Sequence, residues 1–388
     1  CHRRRRFIVE KRWLLRLGPP LVAFGALGVL ASVSAGAVEP DWDPPKCGPG
    51  AAPAADAAAL PRPGSPERLA GEAWFRLDPV LDADATLAGQ RLEVGLQGGR
   101  SRFVALPPES FAAGPFGGLV LVGSDDGRTS TLRAIDASAS CARLIAQASS
   151  VVRRAVIDPA GTTVYEFRVD RTTRRDLGVW RRPLAGGRDD RIVGPLPADA
   201  RFGRTFSTEL AWSLEGDRLV VQQCGVTSCR TRLVDPDTGR VGMIARPELG
   251  ELVGVADGHV VAYAACRGLP CPILSVEAAT GQTAVVAEEA GLARLVPTDG
   301  GPRVIHETGP DTDRHLRSTD VAGSDPVTVE TSAADLRLVP ESARASAGTR
   351  LPAGWILLAP DGRRAGGSRP VLVRLADGLT LSLGEVTR

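Results

Sequence analysis

Few side chains in this sequence are able to do chemistry, and two groups of them stand at equal spacing. Cys224-Gly-Val-Thr-Ser-Cys229 and Cys266-Arg-Gly-Leu-Pro-Cys271 each enclose four residues. Cysteines that flank a four-residue hairpin loop face each other across paired strands, within reach of a disulfide. The alternative is a zinc site made of four cysteines, whose ligand pairs are usually separated by two to four residues. An even cysteine number in an exported chain favours oxidation. With Cys1 set aside, that leaves Cys47 and Cys141 to pair by elimination. This third bond would pin a leading segment to the folded body.

The remaining candidates form no recognisable catalytic set. Beyond residue 40 the histidines are His259, His306 and His315, with no H-x-H or HExxH pair and no GxSxG elbow. They read as packing or solvated residues. Ser124-Asp125-Asp126-Gly127-Arg128-Thr129 is similar to a sialidase-type Asp-box but is one residue short before the glycine, and such a box is in any case a structural turn. Asp235, Asp237 and Gly239 resemble the opening of a calcium loop, but no acidic residue follows at the closing position, so a plain turn is expected. Paired carboxylates for glycoside hydrolysis would have to gather in a central channel, with Glu209 and Glu251 as candidates. Arg153-Arg154, Arg174-Arg175 and Arg181-Arg182 could hold an acidic ligand or partner, but strand alternation turns one member of each pair to solvent in any case, which favours the solvated reading. The expectation is no catalytic residue, no cofactor and no metal.

The elements that would position these residues repeat. Between Val152 and Pro197 four short β-type runs are separated by three turns. From Arg102 onward the runs fall into six groups of four, whose second members begin near Leu119, Val164, Leu219, Val260, Val304 and Trp355. Separations of roughly 40–55 residues suit four-stranded propeller blades. Such sheets must stack to hide their faces, and a closed ring removes most edges. The expected fold is all-β, a β-propeller of six four-stranded blades. Two unassigned runs in residues 72–97 leave room for a seventh, or for an N-terminal strand that latches the ring.

Turn chemistry repeats in phase. Val234–Val241 and Val276–Thr283 each place Thr-Gly between third and fourth runs, and Asp158-Pro159-Ala160-Gly161 aligns with Ser213-Leu214-Glu215-Gly216 between first and second. The last two segments resemble the WD40-like repeats of TolB-type propellers, whose blades carry Ser-Pro-Asp-Gly before a β-run and an aspartate on the third strand. The resemblance extends over residues 100–388. It implies the propeller fold far more than any activity, and a family of envelope proteins that bind other proteins. Equivalent loops of a ring share a face, so the two cysteine loops would lie on one rim. Stapled loops lose less entropy on binding, which makes that rim a pointer to a working surface, although stabilisation of exposed hairpins is the favoured reading.

Charge and composition place the chain outside the cytoplasm. Residues 1–16 hold seven Arg and Lys against Glu10, so of the net charge of +2 the head carries +6 and the rest −4. A mildly acidic body has no electrostatic footprint for nucleic acid. Leu17–Val38 runs uncharged and ends in Ala35-Gly36-Ala37, the pattern of a signal peptide or a retained membrane anchor. Cys1 precedes this run and so is not a lipoprotein cysteine. Arg4-Arg5-Arg6-Phe7-Ile8 resembles a twin-arginine signal, but charged residues before the apolar run favour a plain basic head. Three regions are expected: a signal or transmembrane helix in residues 1–37, a Pro/Ala-rich tether in 38–71, and the propeller in 72–388. The expected function is a scaffold that binds an envelope protein or peptide, touching the membrane only through its N-terminal helix. The alternative is an extracytoplasmic glycosidase- or lactonase-like hydrolase that uses the channel.

Overall fold

The computed structural model describes residues 43–47 and 72–384, apart from 83–85, 117, 139–140, 196–206, 225–228, 245, 247, 267, 311–313, 330–335, 340–346, 350, 352 and 361–369. The expected N-terminal helix and most of the tether lie outside the described residues. Among those residues no helix is long and apolar enough to cross a membrane.

Among the described residues, seven four-stranded antiparallel sheets follow one another. Blade 1 holds Ala73–Leu81, Leu87–Leu96 and Ser101–Leu106, with Ala347–Thr349 added inside them. Blade 2 holds Phe111–Phe116, Leu119–Asp125, Ser130–Asp136 and Cys141–Ala148. Blade 3 holds Val151–Ile157, Thr163–Val169, Asp176–Pro183 and Asp190–Val193. Blade 4 holds Ser207–Trp212, Leu219–Cys224, Cys229–Val234 and Val241–Ile244, and blade 5 holds Leu249–Ala256, His259–Ala264, Cys271–Glu277 and Thr283–Ala290. Blade 6 holds Ala293–Thr298, Gly301–Thr308, His315–Asp320 and Val327–Val329, and blade 7 holds Leu336–Leu338, Trp355–Pro360, Val371–Arg374 and Thr380–Ser382.

The expected six blades are therefore corrected to seven. The run at 102–106 is not the first strand of blade 2 but the last of blade 1, where it pairs with Leu87–Leu96. The true first strand, Phe111–Phe116, reads in sequence as a turn because its middle is Ala-Ala-Gly-Pro. Gly123 lies opposite Phe111, and a Cβ there would meet the Phe111 ring at 2.0 Å, so the aromatic ring covers a space that only glycine leaves. The ring is latched by Ala347–Thr349, which leaves blade 7 between its first two strands and pairs with Ala73–Leu81. The N-terminal strands build a blade; the latch comes from near the other end.

Each blade packs on the next through an apolar layer drawn from both. Phe75 and Leu92 of blade 1 meet Val120 and Ile135 of blade 2. Leu121 and Leu132 meet Ala155 and Ile157 of blade 3. Tyr165 and Phe167 meet Leu210 and Val221 of blade 4. The last interface sets Trp74 of blade 1 among Trp355, Leu357 and Leu381 of blade 7. These layers are dominated by Val, Leu and Ala, as the 4% aromatic content requires.

Polar side chains tie each of three inner strands to the blade before. The Val152 amide donates to Ser130 Oγ (3.1 Å), Leu252 to Gln222 Oε1 (2.7 Å) and Leu338 to Glu307 Oε1 (2.8 Å). Gln222 also donates through Nε2 to the Gly250 carbonyl at 3.1 Å. Glu307, 2% exposed, accepts in addition from Arg337 Nη2 at 2.7 Å. At the ring closure the Gly384 amide donates to Gln97 Oε1 at 2.7 Å.

Three disulfides close, in the expected pairs: Cys224–Cys229, Cys266–Cys271 and Cys47–Cys141. Residues 45–47 lie along the outer strand of blade 2. Ala142 donates to the Pro45 carbonyl at 2.8 Å, and Cys47 to the Ala142 carbonyl at 3.1 Å. The leading segment is thus both hydrogen-bonded and covalently fastened to the propeller edge.

Two outcomes are expected in urea denaturation. Glu307→Ala removes the buried carboxylate between blades 6 and 7 and should cost about 3–5 kcal/mol, against about 1–3 kcal/mol for Gln222→Ala. The double variant Cys47→Ser/Cys141→Ser opens a loop with a sequence separation of 94. By chain entropy that costs up to roughly 4–5 kcal/mol, whereas opening either hairpin bridge costs roughly 2.

Candidate functional site

Among the described residues, the two channel candidates Glu209 and Glu251 do not line one cavity. Glu209 is 4% exposed, and its Oε2 lies 3.9 Å from Arg154 Nε on the inner strand of blade 3. It lines a cavity of only about 20 Å³ with Ala211, Leu252, Val253 and Leu295. The inner strands come this close because residue 254 is glycine: a Cβ there would stand 2.8 Å from the Leu295 Cβ. Glu251 is exposed and does not line this cavity. Among the described residues no group of three or more His, Cys, Asp and Glu is placed to hold a metal ion.

The other residues singled out by type are held in turns and ion pairs. Asp126 Oδ1 accepts the Thr129 and Arg128 amides (2.6 and 2.8 Å), and these bonds hold its carboxyl below the usual carboxylate range. Asp235 Oδ1 accepts the Asp237 and Thr238 amides at 3.0 Å each, a capped turn. Arg182, the inward member of its pair, joins Arg168, Glu166 and Asp189 in a largely buried network inside blade 3. Arg168 reaches Glu166 at 2.7 Å and Asp189 at 2.6 Å, with its guanidinium over the Trp180 ring. Burial pushes the Asp189 carboxyl up, but its bond to Arg168, the charges of Arg168 and Arg182 and a backbone hydrogen bond together hold it low. His259 Nδ1 lies 3.1 Å from Ser275 Oγ, and His315 is exposed.

A groove of about 710 Å³ lies between blades 3 and 4, on the opposite rim from the cysteine hairpins. In an antiparallel meander the turns after first and third strands share one rim, and those after second strands the other. Neighbouring first turns bond to one another accordingly: Leu214 donates to the Val255 carbonyl at 2.9 Å, and Asp257 to Glu215 Oε1 at 2.8 Å. The groove is walled by such turns, whereas Cys224–Cys229 and Cys266–Cys271 close turns after second strands. The rim that carries the staples is thus not the rim that carries the groove.

Two aromatic residues form the groove's wall. Tyr165 and Trp212 stand edge to face with centroids 5.4 Å apart, and Trp212 is fixed by donating from Nε1 to the Ile157 carbonyl at 2.8 Å. Tyr165 is 4% exposed and lines the groove, yet its hydroxyl has no hydrogen-bond partner among the described residues. Burial raises its pKa, Asp158 raises it further, Arg181 opposes, and Asp237 adds to the rise.

Five carboxylates and three guanidiniums line the groove. Asp158 accepts the Thr162 and Thr163 amides and the Thr162 hydroxyl; Asp235 caps its own turn and faces Arg218 at 3.5 Å. Asp217 accepts from Ser213 Oγ at 2.8 Å, and Asp190 lies 4.0 Å from Arg181. Asp237 and Arg188 have no side-chain partner among the described residues. The sequence carries all these residues in its repeated turns, but a turn motif does not reveal which caps of adjacent blades face each other.

Solved structures resemble this chain in fold. A prolyl endopeptidase matches with a TM-score of 0.52 and 11% identity over 83% of this chain and 52% of its own. An oligogalacturonate lyase in complex with manganese matches with a TM-score of 0.52 and 13% identity over 81% and 85% of the two chains. TolB from Acinetobacter baumannii matches with a TM-score of 0.43 and 13% identity over 66% and 63%. The chain spans about half the length of the prolyl endopeptidase and under two thirds of that TolB. No protein-family model and no curated protein matches it. The likeness to TolB proteins is one of β-propeller fold.

His306, 3% exposed, gives the stability of the propeller a pH dependence of definite sign. Its Nδ1 has no partner among the described residues, Nε2 lies 3.4 Å from Thr319 Oγ1, and burial lowers its pKa below 6.5. The unfolded chain binds the proton first as pH falls, so stability is full above about 6.5 and declines below it, by at most about 1.4 kcal/mol per pH unit. Urea midpoints between pH 7.5 and 5 should show this decline, and His306→Leu should flatten it.

Proposed function

We propose that this chain is an extracytoplasmic β-propeller that binds another envelope protein or a peptide through one rim. The observation that carries the reading is the groove between blades 3 and 4. It is open, walled by fixed aromatic rings, and fringed by polar groups that the fold does not use up. Groups left unsatisfied beside a preformed apolar wall are what a protein or peptide ligand completes. Among the described residues the channel candidate Glu209 faces Arg154 beside a cavity of only about 20 Å³, which offers less room than the groove. Three disulfides and the basic head followed by an apolar run support export.

The test compares the two rims in living cells. A benzophenone side chain is introduced at position 188, beside the groove, or at position 174, on a turn after a second strand, and the envelope is irradiated. A protein adduct of defined mass is expected from position 188 and not from position 174. Absence of any adduct from 188, or the same adducts from both positions, would overturn the reading.

A further inference from the structure

We propose that the groove between blades 3 and 4 receives an arginine or lysine side chain of a peptide ligand; this rests on the rim-binding reading and names its partner chemistry. The first ground is the balance of charge after internal pairing. Arg181 is taken by Asp190, and Arg218 is shared between Asp217 and Asp235. Asp158 receives only N–H and O–H groups, so its charge meets no cation, and Asp237 has no side-chain partner among the described residues. The one cation left over among the described lining residues is Arg188, which is exposed. A ligand entering the groove therefore meets net negative charge beside a low-dielectric wall, where an opposite charge is favoured and a carboxylate repelled.

The second ground is the Tyr165 hydroxyl. It belongs to a residue buried to more than nine tenths, lines the groove, and makes no hydrogen bond among the described residues. Its oxygen opens onto the groove, where a cationic N–H donor can take the place of water on it. The shape of the site suits a long basic side chain. Trp212 and Pro159 flank the approach and offer apolar surface to an alkyl stem, while Tyr165, Asp158 and Asp237 stand where the charged head would be held. A free amine would use the head contacts but leave the apolar wall uncovered, which favours a side chain carried on a peptide.

The experiment is selection of a random dodecapeptide phage pool on the oxidised protein, followed by fluorescence anisotropy of the enriched peptides. The variants Asp237→Asn and Tyr165→Phe serve as comparisons, each checked to melt like the parent chain. Enriched clones should share Arg or Lys at one position at several times its frequency in the starting pool. Replacing that residue by norleucine should weaken binding at least 10-fold, and Asp237→Asn and Tyr165→Phe should each weaken it at least 5-fold. Enriched clones with no basic position, clones that bind Asp237→Asn as tightly as the parent, or spermidine competing as well as the peptide would each overturn the proposal. Clones that occupy the groove without a basic residue would sink the charge assignment while leaving rim binding intact. No enrichment, together with no adduct from position 188, would remove both.

Discussion

A four-stranded sheet with two apolar faces has no stable existence in water, and the rest of this structure depends on that constraint. Each blade hides one face against the blade before and the other against the blade after, so no blade is stable without both neighbours. The requirement is hardest to meet at the ends of the array, where a neighbour must be supplied by closure. Here the closure is made twice over: Ala347–Thr349 adds a strand to blade 1, and Trp74 of blade 1 inserts among Trp355, Leu357 and Leu381 of blade 7. Gly384 packs against the Trp74 ring with no Cβ in the way, so the last turn reaches the first blade at close range.

The inner strands pose a second problem, because near the axis they must bend. The register of blade 3 shifts between Val152 and Arg154, and that of blade 5 shifts on both sides of Leu252. A bulge takes an amide out of the ladder, and an amide buried without a partner costs about as much as a lost hydrogen bond. The side chains of Ser130 and Gln222, on the preceding blade in each case, accept the amides of Val152 and Leu252 beside these shifts. Glu307 does the same for Leu338 on the shortened inner strand of blade 7 and also holds Arg337 of that strand. The buried polar residues thus tie the inner strands of adjacent blades together, and they fix the position of one blade against the next more closely than an apolar layer would.

Most of the architecture is legible in the residues because hairpin turns and strand runs are local. Blades 3 to 7 begin and end where the Gly-containing turns and apolar runs place them. The misreading at 102–116 has a local cause: Phe111–Phe116 is poor in β-branched residues, and its glycine and proline read as a break. The latch at 347–349 could not be seen, since Ala-Gly-Thr has no pattern of its own and is a strand only because blade 1 offers it an edge. Cysteine pairing was legible for the hairpins because paired strands determine it, and for Cys47–Cys141 only by elimination. The groove was invisible for a different reason. Its members lie on blades 3 and 4, and only the stacking of those blades brings Tyr165 against Trp212.

Turn chemistry also accounts for the charge of the groove's rim. Antiparallel hairpins need an acceptor at the end of the third strand to hold the amides of the turn, and blade after blade supplies a carboxylate: Asp136, Asp235, Asp320 and Asp377 accept amides two to four residues on. All of these turns fall on one rim, so a residue type chosen for hairpin geometry accumulates negative charge on one face of the ring. Cations from neighbouring strands neutralise part of it, as Arg218 does for Asp235 and Arg374 for Asp377. Between blades 3 and 4 the compensation is incomplete, because Asp158 takes up backbone donors instead of a cation and the Asp237 carboxylate has no partner among the described residues. Asp158 cannot be neutralised by rearranging its turn without loosening the hairpin it closes. The field in the groove is therefore a by-product of how the blades are built, and the fixed Tyr165–Trp212 wall is what converts it from a diffuse surface charge into a place where one side chain can be held.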